Sequence, residues 1–427
     1  MNYWGKRQQH YRLSDHMVSG HQSIVKGWVE GSYPTPRLLA LTPRPQLQRP
    51  VYVVEAPAPR SSCNRFPRQT AAVSARRVGT DCVFCKAADQ NPESDRIAMR
   101  LVQYTQPSTG STSLTPGVLL PLNAAHGQHT HVLDLNTALT ADGHPGITSM
   151  RMLLEADLLE RARQLASSAS ASMSGRDVLA LNAVRLGPPI MGCEKVLCVG
   201  MNYREHCTEQ NFPIPTEPVI FSKWASSICG DGDPIPYDTD VTNELDFEVE
   251  LTIVMGKRAR RVPSEAALDC IAGWTVAHDV SARDVQLKRN GGQWLLGKCG
   301  DGFAPIGPTI VTRDEGAAFA DASALGLRCR VNGVTMQDST TEELIFSPAE
   351  IVAYVSKYMT LMPGDLILTG TPSGVGVFRK PPVYLKDGDV CEVEIDGIGK
   401  LTNTVRAVCG GATAVAEGPG AAKRAKL

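Results

Sequence analysis

No stretch of this chain approaches the roughly 18 consecutive apolar residues that span a bilayer, because Arg, Asp or Gly interrupts every apolar run. No membrane-spanning role is expected. Its twelve cysteines lack the spacing of a disulfide framework or a zinc site: nine are scattered singly, from Cys193 to Cys409. Cys82 and Cys85 form a lone Cys-x-x-Cys with no second pair or neighbouring His, which is read as chance, and a reducing compartment is expected. Histidine is scarce too. Between 191 and 408 only His206 and His278 occur, leaving little room for an imidazole-based metal site. There is no Gly-x-Ser-x-Gly elbow, and no cysteine has a His partner beyond the adjacent Cys207, so nucleophilic triad chemistry is disfavoured. The run Thr369-Gly370-Thr371-Pro372-Ser373-Gly374-Val375-Gly376 lacks both a P-loop lysine and the third glycine of a dinucleotide fingerprint. A formal net charge of -1 and a pI near 6.8 provide no whole-chain field for nucleic acid or an anionic membrane. A small neutral or anionic ligand fits better.

What is present is enough for a large core: 427 residues, 42% hydrophobic and 20% charged. Residues 1–98 are rich in Arg and poor in acids, as in a targeting or disordered extension; Met99 is the alternative start of translation. A small α+β unit is expected over 99–190. It has strands near Leu101–Tyr104 and His131–Leu135, a helix from Ser149 to about Leu165, and a flexible Ser/Ala connection over Ala166–Ser174. From 191 to 408 the local signals agree with one another. Strands are expected over Lys195–Gly200, Val219–Lys223, Phe247–Met255 and Leu366–Thr369. Asn332-Gly333 and Asp396-Gly397 mark hairpins, and Ser347, Pro348 and Glu350 open a capped helix running to about Tyr358. The class is α+β and β-rich. Residues 409–427 read as a flexible tail.

The chemistry gathers at two clusters. In Asp246-Phe247-Glu248-Val249-Glu250-Leu251, a strand puts Glu248 and Glu250 on one face and the apolar residues on the other. Two such carboxylates repel unless a cation or hydrogen bonds compensate. Asp279, at the end of the apolar run Ile271–Ala277, would complete a hard-cation site of oxygen ligands, which points to Mg²⁺ with Mn²⁺ as a substitute. If Arg204–Glu209 is helical, His206 and Glu209 lie side by side, so the carboxylate can orient the ring and stabilise its protonated form. Lys298 is a candidate for polarising a carbonyl or anchoring a carboxylate, and the 369–376 loop for bringing backbone close to a ligand.

In this order, from Lys195 to Val405, the motifs resemble the fumarylacetoacetate hydrolase superfamily, and most closely its domain-containing protein 2 group. The resemblance implies a mixed β-roll with a smaller N-terminal unit, usually as a homodimer. It implies Glu248, Glu250 and Asp279 as magnesium ligands, a His206–Glu209 dyad on a mobile lid, and Lys298 in the catalytic set. Tyr203, Arg283, Gln286 and Thr371 then face substrate. The reaction implied runs through a metal-stabilised enolate of a small α-keto acid, first of all oxaloacetate keto–enol tautomerisation. Acylpyruvate hydrolysis, oxaloacetate decarboxylation and a non-catalytic scaffold are the alternatives. In this sequence Gly300 stands where the family commonly has an aromatic, a departure that loosens the loop beside Lys298 and bears on substrate preference. The Arg-rich start favours mitochondria, the Ala425-Lys426-Leu427 terminus a peroxisomal address, and a start at Met99 the cytosol.

Overall fold

The computed structural model describes residues 99–121 and 129–408. The Arg-rich extension, the Cys82–Cys85 pair, the tail and the Ala425-Lys426-Leu427 terminus lie outside the described residues.

The chain enters as a meander of three antiparallel strands, β1 (Arg100–Thr105), β2 (Thr115–Pro121) and β3 (His129–Asp134). Leu135, expected to end the third strand, instead opens helix α1 (Leu135–Ala141). Asp134 turns the chain there by accepting a hydrogen bond from the Thr137 amide, at 3.0 Å. Ser149 caps α2 (Met150–Glu155), but the single helix expected through Leu165 is broken: Asp157 sits at φ 54 and a second helix, α3 (Leu159–Ser172), begins beyond it. Most of the Ser/Ala tract read as a flexible connection is therefore helical. Alanine has the best intrinsic helix propensity, and Ala162 and Ala166 bury their small faces in the N-terminal core. Left-handed Met173 then ends the helix. Strands β4 (Val178–Ala180) and β5 (Arg185–Gly187) complete this part by pairing with β3 and β1.

Beyond Pro189 come β6 (Val196–Gly200), α4 (Arg204–Glu209), β7 (Val219–Lys223), β8 (Ile228–Cys229), β9 (Ile235–Tyr237), β10 (Leu245–Asp246) and β11 (Val249–Met255). After them run α5 (Ser264–Ala267), β12 (Ile271–His278), β13 (Ser281–Ala282), α6 (Leu295–Lys298), β14 (Ala304–Thr312) and α7 (Ala317–Ala320). The chain closes with β15 (Gly326–Val331), β16 (Val334–Thr340), α8 (Pro348–Tyr358), β17 (Leu366–Leu368), β18 (Val390–Ile395) and β19 (Gly399–Ala407).

One sheet runs in the order β4-β3-β2-β1-β14-β12-β11-β17-β6-β7, and a second in the order β16-β15-β18-β19-β9. The first is mixed, since β17 and β6 are parallel whereas β11 and β12 are antiparallel. It is also continuous, because β1 of the N-terminal part hydrogen-bonds to β14. The main core lies between the sheets, with Phe247, Val249, Leu251 and Ile253 packed against Leu327, Cys329, Val393 and Ile395. Strands β11 and β12 are buried along their whole length, which explains why they read as near-continuous apolar runs. The local signals are realised. Asn332 and Gly333, at φ 51 and 78, turn β15 into β16 in two residues, as a type I′ hairpin requires. Ser347 and Glu350 form the expected capping box. No helix among the described residues is long and apolar enough to cross a membrane.

Candidate active site and metal centre

The ladder breaks at Phe247 and Glu248. Asp246 pairs with Ser281 in the short β10–β13 ribbon, and pairing resumes at Val249 opposite His278. The Glu-x-Glu thus begins one residue ahead of the strand rather than within it. Its faces still separate as alternation requires: Phe247 and Val249 enter the core, while Glu248 and Glu250 line a cleft. The Asp279 amide donates to the Glu248 carbonyl at 2.9 Å, which sets the aspartate beside the glutamates. Carboxylate oxygens of Glu248, Glu250 and Asp279 lie within 4.8 Å of one another, and all three residues are buried.

Three cations are built around these acids. Lys298 donates to Glu248 Oε2 and to Asp279 Oδ2, both at 2.9 Å. Arg283 reaches Glu248 Oε1 at 2.5 Å and Asp246 Oδ2 at 2.7 Å. Lys223, fully buried, lies 2.7 Å from Asp279 Oδ1 and donates to the carbonyls of Val280 and Lys298, at 3.0 and 2.5 Å. The electrostatic consequence differs between neighbours. Burial alone would push Glu248 up, but Lys298 and Arg283 overcome it and hold the carboxyl below the usual range. Glu250 is pushed well above its usual range by burial and then by the charges of Asp279 and Glu248; its nearest stabilising contact is the Gly370 amide at 2.8 Å. A hard cation would relieve that repulsion, and the all-oxygen donor set fits one. His278 is a poor competitor as ligand. Burial first, then Lys223, lowers it to about 3, and it faces the core strand side opposite Val249.

On the other wall, His206 Nδ1 and Glu209 Oε1 on α4 are 2.6 Å apart, the contact expected from their spacing. Glu209 Oε2 also accepts from the Gly374 amide at 3.0 Å, tying the helix to the 369–376 loop. His206, Arg283, Gln286, Lys298 and Thr371 all line the cleft with Glu248 and Glu250. Its apolar rim is Phe221 and Trp294, packed edge-on with ring centroids 5.3 Å apart. Gly200 is what lets Trp294 lie there, because a Cβ at that position would stand 2.8 Å from the indole. Tyr203 is the exception among the expected substrate contacts: its side chain is wholly buried in the main core, and its hydroxyl has no partner among the described residues.

Sequence reasoning missed several positioning residues. Asp246 accepts the amides of Gly376 and Val377, at 2.7 and 3.0 Å, besides holding Arg283. Gln337 clasps the Val249 amide at 2.9 Å and donates to the Thr371 hydroxyl at 2.8 Å. Asn202 donates to the Thr369 carbonyl at 2.7 Å. Asp246 and Asn202 stand beside recognised motifs, which was their only signal, whereas a lone Gln such as Gln337 looks like a solvated residue.

Residues 195–406 match the family described as fumarylacetoacetate (FAA) hydrolase C-terminal. The chain is 46% identical over 314 residues to the mitochondrial oxaloacetate tautomerase fahd2 of Xenopus laevis, covering 73% of this chain and 92% of that protein. To the human mitochondrial oxaloacetate tautomerase FAHD2A it is 50% identical over 232 residues, 53% of this chain and 71% of that one. Among solved structures, the fumarylacetoacetate hydrolase of psychrophilic Exiguobacterium antarcticum superposes with a TM-score of 0.60 at 34% identity, over 73% of this chain and 100% of that chain.

Proposed function

Since the chain belongs to the fumarylacetoacetate hydrolase family, we propose that it interconverts the keto and enol forms of oxaloacetate, with Mg²⁺ or Mn²⁺ held by Glu248, Glu250 and Asp279. The observation that carries this reading is the buried carboxylate triad in one cleft with a His–Glu dyad, in a chain whose relatives are named for that reaction. When bound, the divalent cation supplies a Lewis acid that offsets negative charge developing on the 2-oxo acid.

The protein's own groups account for binding and proton movement. Three of the five Arg283 N–H groups are engaged, by Asp246, Glu248 and Gln286, which leaves two for a substrate carboxylate. Gln286 Oε1 accepts from Arg283 at 3.0 Å, so its amide NH₂ is the group left to donate to substrate. With Nδ1 of His206 committed to Glu209, Nε2 is the nitrogen that takes the proton from C3 of the keto form and delivers it to the C2 oxygen to give the enol, both transfers running backwards in the reverse direction. Glu209 fixes ring orientation and tautomer, and the Gly374 amide fixes Glu209. Phe221 and Trp294 give the substrate an apolar wall beside these polar groups.

We also read the protein as a homodimer located in mitochondria. The homodimer follows from the resemblance and the location from the names of the relatives. Sedimentation of the purified chain checks the first and organelle fractionation the second.

The deciding experiment follows the absorbance of enol-oxaloacetate with Mg²⁺, alongside acetylpyruvate cleavage and carbon dioxide release, for the wild type and Glu250→Ala. Rapid enol decay that disappears in the variant, with little cleavage, supports the tautomerase. Dominant cleavage would make the dyad a water-activating base and the enzyme an acylpyruvase, dominant carbon dioxide release would make it a decarboxylase, and silence in all three assays would overturn the enzyme reading.

A further inference from the structure

Most basic side chains of the fold meet a carboxylate, as in Arg151–Glu155, Arg161–Asp142, Arg328–Asp396 and Lys400–Glu392. One loop does otherwise. Leaving β11, the chain reads Gly256-Lys257-Arg258-Ala259-Arg260-Arg261-Val262-Pro263-Ser264, four basic residues and no acid. The loop is fixed by its backbone: Ala259 is buried and exchanges two hydrogen bonds of 2.9 Å with Leu361, and the Arg261 amide donates to the Ser356 carbonyl at 2.8 Å. The Arg260 guanidinium donates to the carbonyls of Ser356 and Lys357, at 2.9 and 2.8 Å, closing the C-terminus of α8. This brings the loop against Lys357. Lys257, Arg258, Arg260, Arg261 and Lys357 are all exposed, and among the described residues none of them has a carboxylate within ion-pair distance. Asp269, on the turn after α5, faces Arg313 instead, and Glu265 pairs with none of the five.

Arg260 closes the end of α8 and Lys357 lies over the Tyr354 ring, whereas among the described residues the side chains of Lys257, Arg258 and Arg261 make no such contact. Holding these three together on a rigid loop costs repulsion that nothing internal offsets. Beside them, Tyr358 stands 64% exposed at the end of α8, its ring packed at 5.2 Å on Tyr354, which in turn lies under Lys357. One outward ring among cations suits the polar boundary of a bilayer. It does not make the series of rings on which successive bases stack. We propose that this face docks the protein on an anionic phospholipid surface. The net charge of -1 conceals it by averaging a local cluster over the whole chain. Glu250 to Met255 spans five residues of β11, or about 17 Å, and Lys257 follows beyond the end of the strand, so the cleft stays open when the patch is covered.

The test is co-sedimentation of the full chain with phosphatidylcholine vesicles, with or without phosphatidylserine. The expected result is binding to the anionic vesicles alone, lost at high salt. Binding should weaken at least about tenfold in the triple variant Lys257→Glu/Arg258→Glu/Arg261→Glu, which leaves Arg260 in place, while melting temperature and enol decay are unchanged. The neutral pair Arg258→Gln/Arg261→Gln serves if the triple variant does not fold, with a smaller loss expected. Absence of anionic-vesicle binding, equal binding by the variants, or preference for a single-stranded RNA oligonucleotide over the vesicles would each overturn the proposal.

Discussion

The carboxylates of Asp246, Glu248, Glu250 and Asp279 and the His206–Glu209 pair on α4 meet at one cleft, which Glu248, Glu250 and His206 line, but are held in different ways. The first group hangs from or beside paired strands, is almost wholly buried, and has its charge answered by Lys223, Arg283 and Lys298. The second rides on a helix of six residues, joined to the opposite loop by Gly374–Glu209 and Ser373–Glu205 hydrogen bonds. A short helix has little stability of its own, so its position depends on those contacts. On the proposed function, the rigid set holds metal and substrate and the tethered set moves the proton. If so, variants on the two sides separate binding from turnover.

The largest effect belongs to the rigid side. Glu250→Gln removes a carboxylate that burial and two neighbouring acids disfavour while keeping an acceptor for the Gly370 amide. Without metal its melting temperature should equal or exceed that of the wild type. With Mg²⁺ it should show no rise, and kcat/KM for enol decay should fall by about 10³-fold or more. A metal-induced rise of wild-type size in the variant would break the assignment of Glu250 as ligand.

Next comes Lys223→Met, which leaves two buried carbonyls without a donor and Asp279 with Lys298 alone. Breaking one partner of such a buried pair costs about 3–5 kcal/mol, read by urea unfolding, and metal affinity should change with it. On the tethered side, Glu209→Gln should lower kcat by about 10²-fold, with KM and metal-induced stabilisation nearly unchanged. A change confined to KM would place the dyad with the binding groups and erase the distinction.

The same contrast explains what could be read in advance. Where a signal is local, it was legible: Ser347 and Glu350 lie within hydrogen-bond reach of each other in any helix that starts there, and Asn332-Gly333 tolerates the turn by itself. The triad was legible because carboxylates amid apolar runs call for a counter-charge. Asp157, which breaks the expected helix, carries no such signal, and the Ser/Ala tract looks like a linker until Ala166 and Ala169 find a core to cover. Lys223 and Gln337 were invisible for a related reason. Their partners lie 57 and 88 residues away in sequence, and only the closed sheet brings them together.

The smallest effect tests the cause of the contrast outside the cleft. Glu315 is a half-buried glutamate whose ion pair is with Arg100, at 2.8 Å, and one of its carboxylate oxygens has no hydrogen-bond partner among the described residues. Burial raises it to about 7 against the pull of Arg100, opposite in direction to Glu248. A carboxyl raised on folding favours the protonated form, so its contribution is complete below about 4.5 and is lost as pH climbs through about 7. With solvent screening at this rim the loss should be near 1 kcal/mol. The stability difference between wild type and Glu315→Gln should therefore shift by that amount between pH 5 and 8 in urea titrations, the wild type losing ground as pH rises. A flat difference would mean that one cation suffices to hold a half-buried glutamate ionised, and the second and third cations around the triad would then need another reason, namely the orientation of Arg283 and Lys298 toward substrate.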